Sequence, residues 1–160
     1  MSLTKTILWV TAAVATATAT VVYAFRLKRT SAELETYAKI NIFKLNLTEL
    51  VVQVDVRLKN PTATKFSIKF PFVKLIYKGL TVGSSQVQNK DIAIPAYGEA
   101  VAEKIMIPIP TLEEFSLVTG LIESLLLREQ VKISVAKITT IDLGLTKIPY
   151  AKTEELILKK

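Results

Sequence analysis

Few residues of this chain have the type and spacing that catalysis needs, and one short motif is the main candidate. Ser134 and Lys137 have the serine-x-x-lysine spacing that opens a helix in penicillin-binding proteins, so that both side chains share a face. Here Val131, Ile133 and Val135 alternate with other residues, which predicts a strand. Residues three apart in a strand point to opposite faces, so we predict no catalytic role for the pair.

The remaining carboxylates form no catalytic pattern, and several residue types common in active sites are missing. Glu154 and Glu155 are neighbours in a predicted strand and point apart. Glu113 and Glu114 fall in the first turn of a predicted helix, where the helix dipole favours acidic residues. The chain has no histidine, no cysteine and five scattered glycines, so the commonest general base, thiolate ligands and a glycine-rich phosphate loop are missing. We predict no enzymatic activity, no metal site and no cofactor.

The positive charge of the chain is concentrated near its start. The 160 residues carry a net charge of +7, and Lys5, Arg26, Lys28 and Arg29 flank an apolar segment. The rest of the chain is only mildly basic, and its lysines are scattered rather than clustered. We therefore expect no binding of nucleic acid.

The apolar segment itself predicts a single transmembrane helix. Residues 6–25 contain no charge, and twenty residues of helix span about 30 Å, the thickness of a bilayer core. Aromatic residues near its two ends suit the membrane interfaces, and a basic cluster follows it. The predicted anchor residues are Trp9, Tyr23, Arg26, Lys28 and Arg29.

Small residues within this segment recur four apart, at Ala12, Thr16 and Thr20, a spacing that lets helices pack closely in a membrane. The alternative is a cleaved signal peptide, because Ala15-Thr16-Ala17 resembles a cleavage site. Lys5 alone makes a thin basic start for a signal peptide, and the basic cluster after the segment hinders export. The positive-inside rule places the C-terminal part on the cytoplasmic side of a single-pass membrane protein.

The rest of the chain is organised around the stretch 50–61. Leu50, Val52, Val54, Val56 and Leu58 fall on one side of an extended chain, and mostly polar residues fall on the other. This alternation predicts a strand with one buried and one wet face. Asn60-Pro61 ends it, because proline cannot donate to a strand ladder and asparagine shapes turns; we interpret the pair as a structural motif.

Other segments extend the same pattern into a mainly β domain. Strands are predicted around 40–47, 66–70, 73–77, 81–87, 101–107, 131–135, 141–145 and the C-terminus, with Gly83 at a bulge. One amphipathic helix is predicted from an N-cap at Thr111 through Leu126. Several short strands with regular turns indicate a two-sheet β-sandwich. We divide the chain into an anchor with its basic flank (1–29), a juxtamembrane linker or short helix (30–37) and the β domain (38–160).

Four motifs in this β domain resemble the late embryogenesis abundant group-two family, whose domain is also named for water stress and hypersensitive response. They are the strand ending in Asn60-Pro61, then 76–83, 94–100, and 143–150 with Gly144 and Pro149. The resemblance covers residues 38–160. It implies an immunoglobulin/fibronectin type III-like sandwich with one helix, no catalytic residues, and a role in desiccation and stress protection. The N-terminal anchor departs from the soluble members of the family.

Three functions remain open from the sequence. The leading hypothesis is a non-enzymatic, membrane-tethered β-sandwich that binds or shields something at a membrane surface, with lipid contacts through its N-terminal helix. One alternative is a structural subunit of a larger membrane-associated assembly, such as a secretion apparatus or a membrane-containing virion. The other is a lipid-binding module, which would need a cavity near Phe66, Phe70 and Phe115.

Overall fold

A computed structural model describes residues 33–110 and 116–160, and within these ranges the chain is mainly β, with nine strands and one helix. The strands are β1 (Glu35–Leu45), β2 (Glu49–Lys59), β3 (Phe66–Lys69), β4 (Phe72–Tyr77), β5 (Leu80–Ser84), β6 (Asp91–Ile94), β7 (Glu99–Pro110), β8 (Val131–Asp142) and β9 (Lys147–Leu158). The helix, α1, is Ser116–Leu126. The described domain belongs to one compact unit that begins at Leu34.

The strands form two sheets, and every pairing in them is antiparallel. The smaller sheet has the order β1-β2-β7. In the larger, six-stranded sheet, β9 lies along one edge of β8, while β4 and β3 lie one after the other along its opposite edge. The outer positions beyond β4 and β3 are taken by β5 and β6.

The predicted buried face of β2 is confirmed. Leu50, Val52, Val54, Val56 and Leu58 are each at most 1% exposed. Full burial of such side chains contributes roughly 1.5–3 kcal/mol apiece, so this strand is a main source of core stability. β2 is the central strand of the smaller sheet, which explains why its apolar face is so completely covered.

Both sheets and the helix bury their apolar faces in one continuous cluster. Val54 of the smaller sheet, Val135 of the larger sheet and Leu121 of α1 all belong to it. The predicted amphipathic helix is confirmed in α1, because Val118 and Leu125 are also buried. Its predicted cap at Thr111, with Glu114 and Phe115, lies outside the described residues.

Gly83 is required by the close approach of strands. A Cβ atom there would lie 3.0 Å from a side-chain carbon of Ile107 and 3.1 Å from the carbonyl oxygen of Pro108. The register between β4 and β5 shifts beside it, since Leu75 pairs with Gly83 while Ile76 pairs with Thr81. The predicted bulge is confirmed, and the absence of a side chain is what lets β5 pack against β7.

Two sequence predictions need correction. β1 already begins at Glu35, so the short helix proposed through Tyr37 is wrong. β8 runs unbroken from Val131 to Asp142, so the separate strands predicted at 131–135 and 141–145 are wrong. The apolar alternation stops after Val135, because Lys137 and Thr139 occupy the next inward positions of the strand. Gly144 lies in the turn that follows, with φ of +90°.

In the described ranges 33–110 and 116–160, no helix is both long and apolar enough to cross a bilayer. The predicted membrane span lies outside those ranges. So do the residues assigned to it, which are Trp9, Ala12, Thr16, Thr20, Tyr23, Arg26, Lys28 and Arg29.

Candidate functional site

Asn60 ties two loops together with its whole side chain. It is 1% exposed, and its Nδ2 donates to the carbonyl oxygens of Thr64 and Pro95, each at 2.9 Å. Its Oδ1 accepts hydrogen bonds from the backbone N–H of Thr62 at 2.9 Å and from the Thr62 hydroxyl at 2.7 Å. Because both polar atoms are fully engaged within the chain, Asn60 has no capacity left for a ligand. Its position after β2 makes it a fold determinant, joined to the turn before β7.

Gly144 and Pro149 lie in the hairpin of β8 and β9. The N–H of Gly144 donates to Oδ1 of Asp142 at 2.8 Å, and its positive φ closes the turn. Pro149 lies on β9, an edge strand of the larger sheet, and pairs with Thr140 of β8. Proline on an edge strand removes a donor that another chain could pair with.

The serine-x-x-lysine pair is separated as the alternation predicts. Ser134 lies half-buried on the outer face of β8, whereas Lys137 lies on the core face and is 1% exposed. Glu155 pairs with Lys132 at 3.2 Å on the outer face, so Glu154 and Glu155 do not act on a shared group. Neither pattern assembles a nucleophile with a base.

An ion pair between β8 and β9 also contacts the backbone of β1, the edge strand of the smaller sheet. Lys137 Nζ lies 2.7 Å from Oε2 of Glu154 and donates to the carbonyl oxygen of Thr36 at 3.2 Å. The same Glu154 oxygen accepts the backbone N–H of Ala38 at 3.1 Å. Side chains of the larger sheet thus satisfy backbone groups of β1 that have no strand beside them, which protects an otherwise open edge.

Tyr150 continues this connection along the same two strands. Its hydroxyl donates to the carbonyl oxygen of Leu34 at 3.2 Å and lies 3.1 Å from the hydroxyl of the buried Thr36. Lys137, Glu154 and Tyr150 together form what we call the cross-sheet network. Among the described residues, no buried side-chain nitrogen or oxygen lacks a hydrogen-bond partner, so this network is complete as it stands.

Burial and pairing shift the titration of the network. Burial lowers the pKa of Lys137, and the hydrogen bond to Glu154 offsets only part of this effect. Burial also raises the pKa of Glu154, but the hydrogen bonds from Lys137 and from the N–H of Ala38 outweigh it, so that the pKa of Glu154 is lowered. The carboxylate is therefore the charged form in the fold. The ammonium group of Lys137 is enclosed by the fold, whereas the side chain of Glu154 is 29% exposed.

The accessible candidate site is on the outer face of the smaller sheet, which we call the groove face. A depression of about 580 Å³ lies over β1, β2 and β7. It is lined by Tyr37, Ala38, Lys39, Asp55, Arg57, Lys59, Glu99, Val101 and Glu103. Tyr37 is 50% exposed, and its hydroxyl donates to Glu35 at 3.1 Å, a contact that raises the pKa of Tyr37.

A β-bulge shapes this face. Val54 pairs with Ile105 and Val56 with Ala102, so Asp55 faces two residues of β7, Glu103 and Lys104. Lys104 has a φ of +57°, an uncommon conformation for a residue with a side chain. Oδ1 of Asp55 accepts the N–H of Lys104 at 2.8 Å and holds the bulge in place. Bulges and strained residues are frequent beside binding sites, because they re-aim side chains.

A second depression of about 440 Å³ adjoins the first. Its lining includes Phe70, Lys90, Asp91 and Lys104, and it shares Val101 and Glu103 with the first depression. Both are open to solvent. Together they present exposed hydrogen-bond donors and acceptors of both charge signs.

Sequence reasoning missed both the groove face and the cross-sheet network. Lys137 was detectable, because the alternation that places Ile133 and Val135 inward also places Lys137 inward. The groove face was not detectable, since its residues come from three strands and look like ordinary solvated positions in each.

Comparison with known proteins identifies the fold. No protein-family model matches the chain, and no curated protein matches its sequence. A crystal structure of a protein from Archaeoglobus fulgidus has 14% identity and a TM-score of 0.52, over 80% of this chain and 98% of its own. A solution structure of a protein from Arabidopsis thaliana has 13% identity and a TM-score of 0.54, over 80% of this chain and 82% of its own.

A further solution structure, of a protein described as late embryogenesis abundant, aligns over 99% of this chain and 91% of its own. Its identity is 13% and its TM-score of 0.43 is too low to support a conclusion. At these identities, the archaeal and Arabidopsis likenesses establish a shared mainly β fold and say nothing about activity.

Proposed function

We propose that this protein is a non-enzymatic binding module with an immunoglobulin/fibronectin type III-like sandwich, tethered to a membrane by its N-terminal segment. The observation that carries the tether is the uncharged run at residues 6–25, followed by Arg26, Lys28 and Arg29. The binding role is supported by an open groove face beside a core whose charged groups are engaged with one another. Protection under stress is the version of this role that the family resemblance suggests.

Carbonate extraction of membranes tests the tether. We expect the full-length chain to remain in the pellet. We expect Ala17→Lys to move it toward the supernatant, because a lysine at the centre of a spanning helix costs about 2.5–3.5 kcal/mol. Ala63→Lys, at an exposed loop position of the β domain, is the control and should leave the chain in the pellet. Release of the unmodified chain, or a mature form starting near Thr20, would refute the tether.

Protease protection tests the orientation. With the basic cluster on the cytoplasmic side, the β domain is digested only when protease reaches that side of sealed vesicles. Digestion from the opposite side of intact vesicles would show that the β domain has the opposite orientation. The proposal of a membrane tether would not be affected.

A structural subunit of a larger membrane assembly is the second candidate, and exposed apolar side chains favour it. Phe43 is 64% exposed, and Leu47 in the turn between β1 and β2 is 79% exposed. Side chains of this kind are found at protein contacts. Size measurement after mild detergent extraction separates the two candidates, since a large stoichiometric complex supports the assembly and a monomer supports the tethered module.

The lipid-binding alternative has less support. Phe66 is buried in the core cluster, and Phe70 packs against that cluster. These side chains occupy the space in which a lipid chain would lie. Mass spectrometry of the purified protein should therefore detect no stoichiometric lipid beyond what its anchor retains.

A further inference from the structure

The groove face has a composition that no part of the proposed tether explains. Its two depressions meet at Val101 and Glu103 and so form one continuous surface along β7. Each contains an aromatic side chain, Tyr37 in the first and Phe70 in the second. A surface with two adjoining subsites suits an extended ligand better than a compact one.

The charges on this surface balance within each depression. The first contains three basic residues, Lys39, Arg57 and Lys59, and three acidic residues, Asp55, Glu99 and Glu103. The second contains two basic residues, Lys90 and Lys104, and two acidic residues, Asp91 and Glu103. Neither depression has the single-sign field that would concentrate an anion or a cation. The surface is therefore rich in hydrogen-bonding groups and complementary to a ligand without net charge.

Several of these groups are available to a ligand. Within the described residues, Lys39 and Glu103 are exposed and have no ion-pair partner. Arg57 lies 3.8 Å from Glu99, which is a loose contact. Tyr37, by contrast, is held in place, because its hydroxyl binds Glu35 and its ring lies 5.9 Å from the ammonium group of Lys152. A fixed aromatic platform presents contact area with little loss of side-chain entropy.

We propose that the groove face binds a neutral oligosaccharide. Sugar hydroxyls both donate and accept hydrogen bonds, which matches a surface of interspersed ammonium, guanidinium and carboxylate groups. The C–H face of a sugar ring stacks on Tyr37, and the chain runs across the Val101–Glu103 rim toward Phe70. A peptide strand is the less suitable ligand, since peptides that add to sheets do so at an edge, and this surface is a face.

Calorimetric titration of the full-length chain tests this proposal. The protein is kept in lauryldimethylamine oxide, which carries no sugar, because maltoside detergents belong to the ligand class. The probes are maltohexaose, cellohexaose and chitohexaose, with hexagalacturonic acid as the anionic comparison. We expect saturable binding of at least one neutral probe, and a loss of about tenfold in affinity for Tyr37→Ala, the size typical of one truncated anchor residue.

The chain offers a matched control in Tyr97→Ala. Tyr97 is exposed in the turn before β7 and lines neither depression. The Tyr97→Ala variant should bind the neutral oligosaccharide with unchanged affinity. Lys39→Met is a second groove variant, at an exposed position, and should weaken binding even if Tyr37→Ala reduces folding. The proposal is overturned if no neutral probe binds or if only the anionic probe binds. It is also overturned if Tyr97→Ala loses as much affinity as Tyr37→Ala. Carbonate extraction is independent of these outcomes, so a failed titration leaves the tether standing.

Discussion

At the residue scale, the most informative position is Lys137. Its ammonium group lies on the core face of β8, and its pairing with Glu154 is accompanied by a hydrogen bond to the backbone of β1. A buried charge is costly unless it is paired and hydrogen-bonded. The stability of this region therefore depends on both partners being present, and less on the attraction between them.

Substitutions within the cross-sheet network should be strongly unequal. Glu154→Leu leaves the ammonium of Lys137 buried without its partner, so we expect a loss of about 3–5 kcal/mol in the free energy of unfolding. Lys137→Met should cost less, and the double variant should recover much of the loss. Urea titration followed by circular dichroism measures these values.

The same two strands supply the control for this experiment. Lys132 and Glu155 pair at 3.2 Å with side chains 75% and 61% exposed. Glu155→Leu should change the free energy of unfolding by less than about 1 kcal/mol, as expected for a surface pair. Equal effects of the two glutamate substitutions would contradict a special role for the buried pair.

The pH dependence of stability follows from the lowered pKa values of the two groups. Glu154 stabilises the fold above its ordinary pKa of 4.5 and loses this contribution as the pH falls through its lowered pKa. For Lys137 the unfolded chain holds the proton more tightly, so stability rises with pH between its lowered pKa and 10.5. Urea midpoints measured across both ranges should show these slopes. Lys137→Met should remove the alkaline rise, and persistence of that rise would assign it to another group.

Asn60 gives a second prediction at this scale. Asn60→Ala removes a buried side chain that makes four hydrogen bonds and takes one donor from each of the carbonyl groups of Thr64 and Pro95. Each such hydrogen bond contributes about 0.5–1.5 kcal/mol, so we expect the loss of four to lower the free energy of unfolding by about 2 kcal/mol or more. Thermal unfolding measures it. Asn41→Ala, at an exposed position of β1, should be close to neutral.

At the scale of single elements, the structural role of a glycine depends on its backbone conformation. The hairpin of β8 and β9 closes through Gly144 at positive φ, while Gly120 lies within α1 with open space around it. The two residues are of the same type but have opposite structural roles. One permits a left-handed turn, and the other weakens a helix.

Alanine substitutions should therefore have opposite signs at these two positions. Gly144→Ala places a side chain in a left-handed conformation and should destabilise by about 1 kcal/mol or more. Gly120→Ala should stabilise by about 0.5–1 kcal/mol, because alanine is the better helix former and a Cβ there meets nothing. The shift in melting temperature of each variant decides the matter, and a shared sign would contradict this account.

At the scale of the whole molecule, one hydrophobic cluster joins both sheets and α1. A core shared in this way predicts cooperative unfolding of the described domain, since neither sheet can keep its buried face without the other. The cross-sheet network adds directional contacts to that non-directional burial.

Leu121→Ala tests this cooperativity. The side chain is fully buried in α1, and a leucine-to-alanine change in a core costs about 2–5 kcal/mol. We expect far-ultraviolet dichroism and tyrosine fluorescence to shift together to a lower midpoint. Tyrosine is the fluorescent probe because the described residues contain no tryptophan. Separate transitions of the two signals would show that the helix and the sheets unfold independently.

Much of the fold was predictable from the sequence, because it depends on local periodicity. The buried face of β2, the amphipathic pattern of α1 and the bulge at Gly83 follow from patterns within a single segment. Strand limits were less predictable, and β8 is the clearest case. An inward lysine and threonine interrupt its apolar pattern, and only their partners on other strands make those positions tolerable.

The sequence by itself determined which segments are extended, which faces are apolar, and which residue types are missing from any active site. Only the tertiary structure decided which strands became neighbours. That choice brought Lys137 to Glu154 and the edge of β1, and it brought side chains of β1, β2 and β7 to one groove face. The physical reason is that alternation fixes the side of a strand on which a residue lies, whereas sheet order and register fix what it faces.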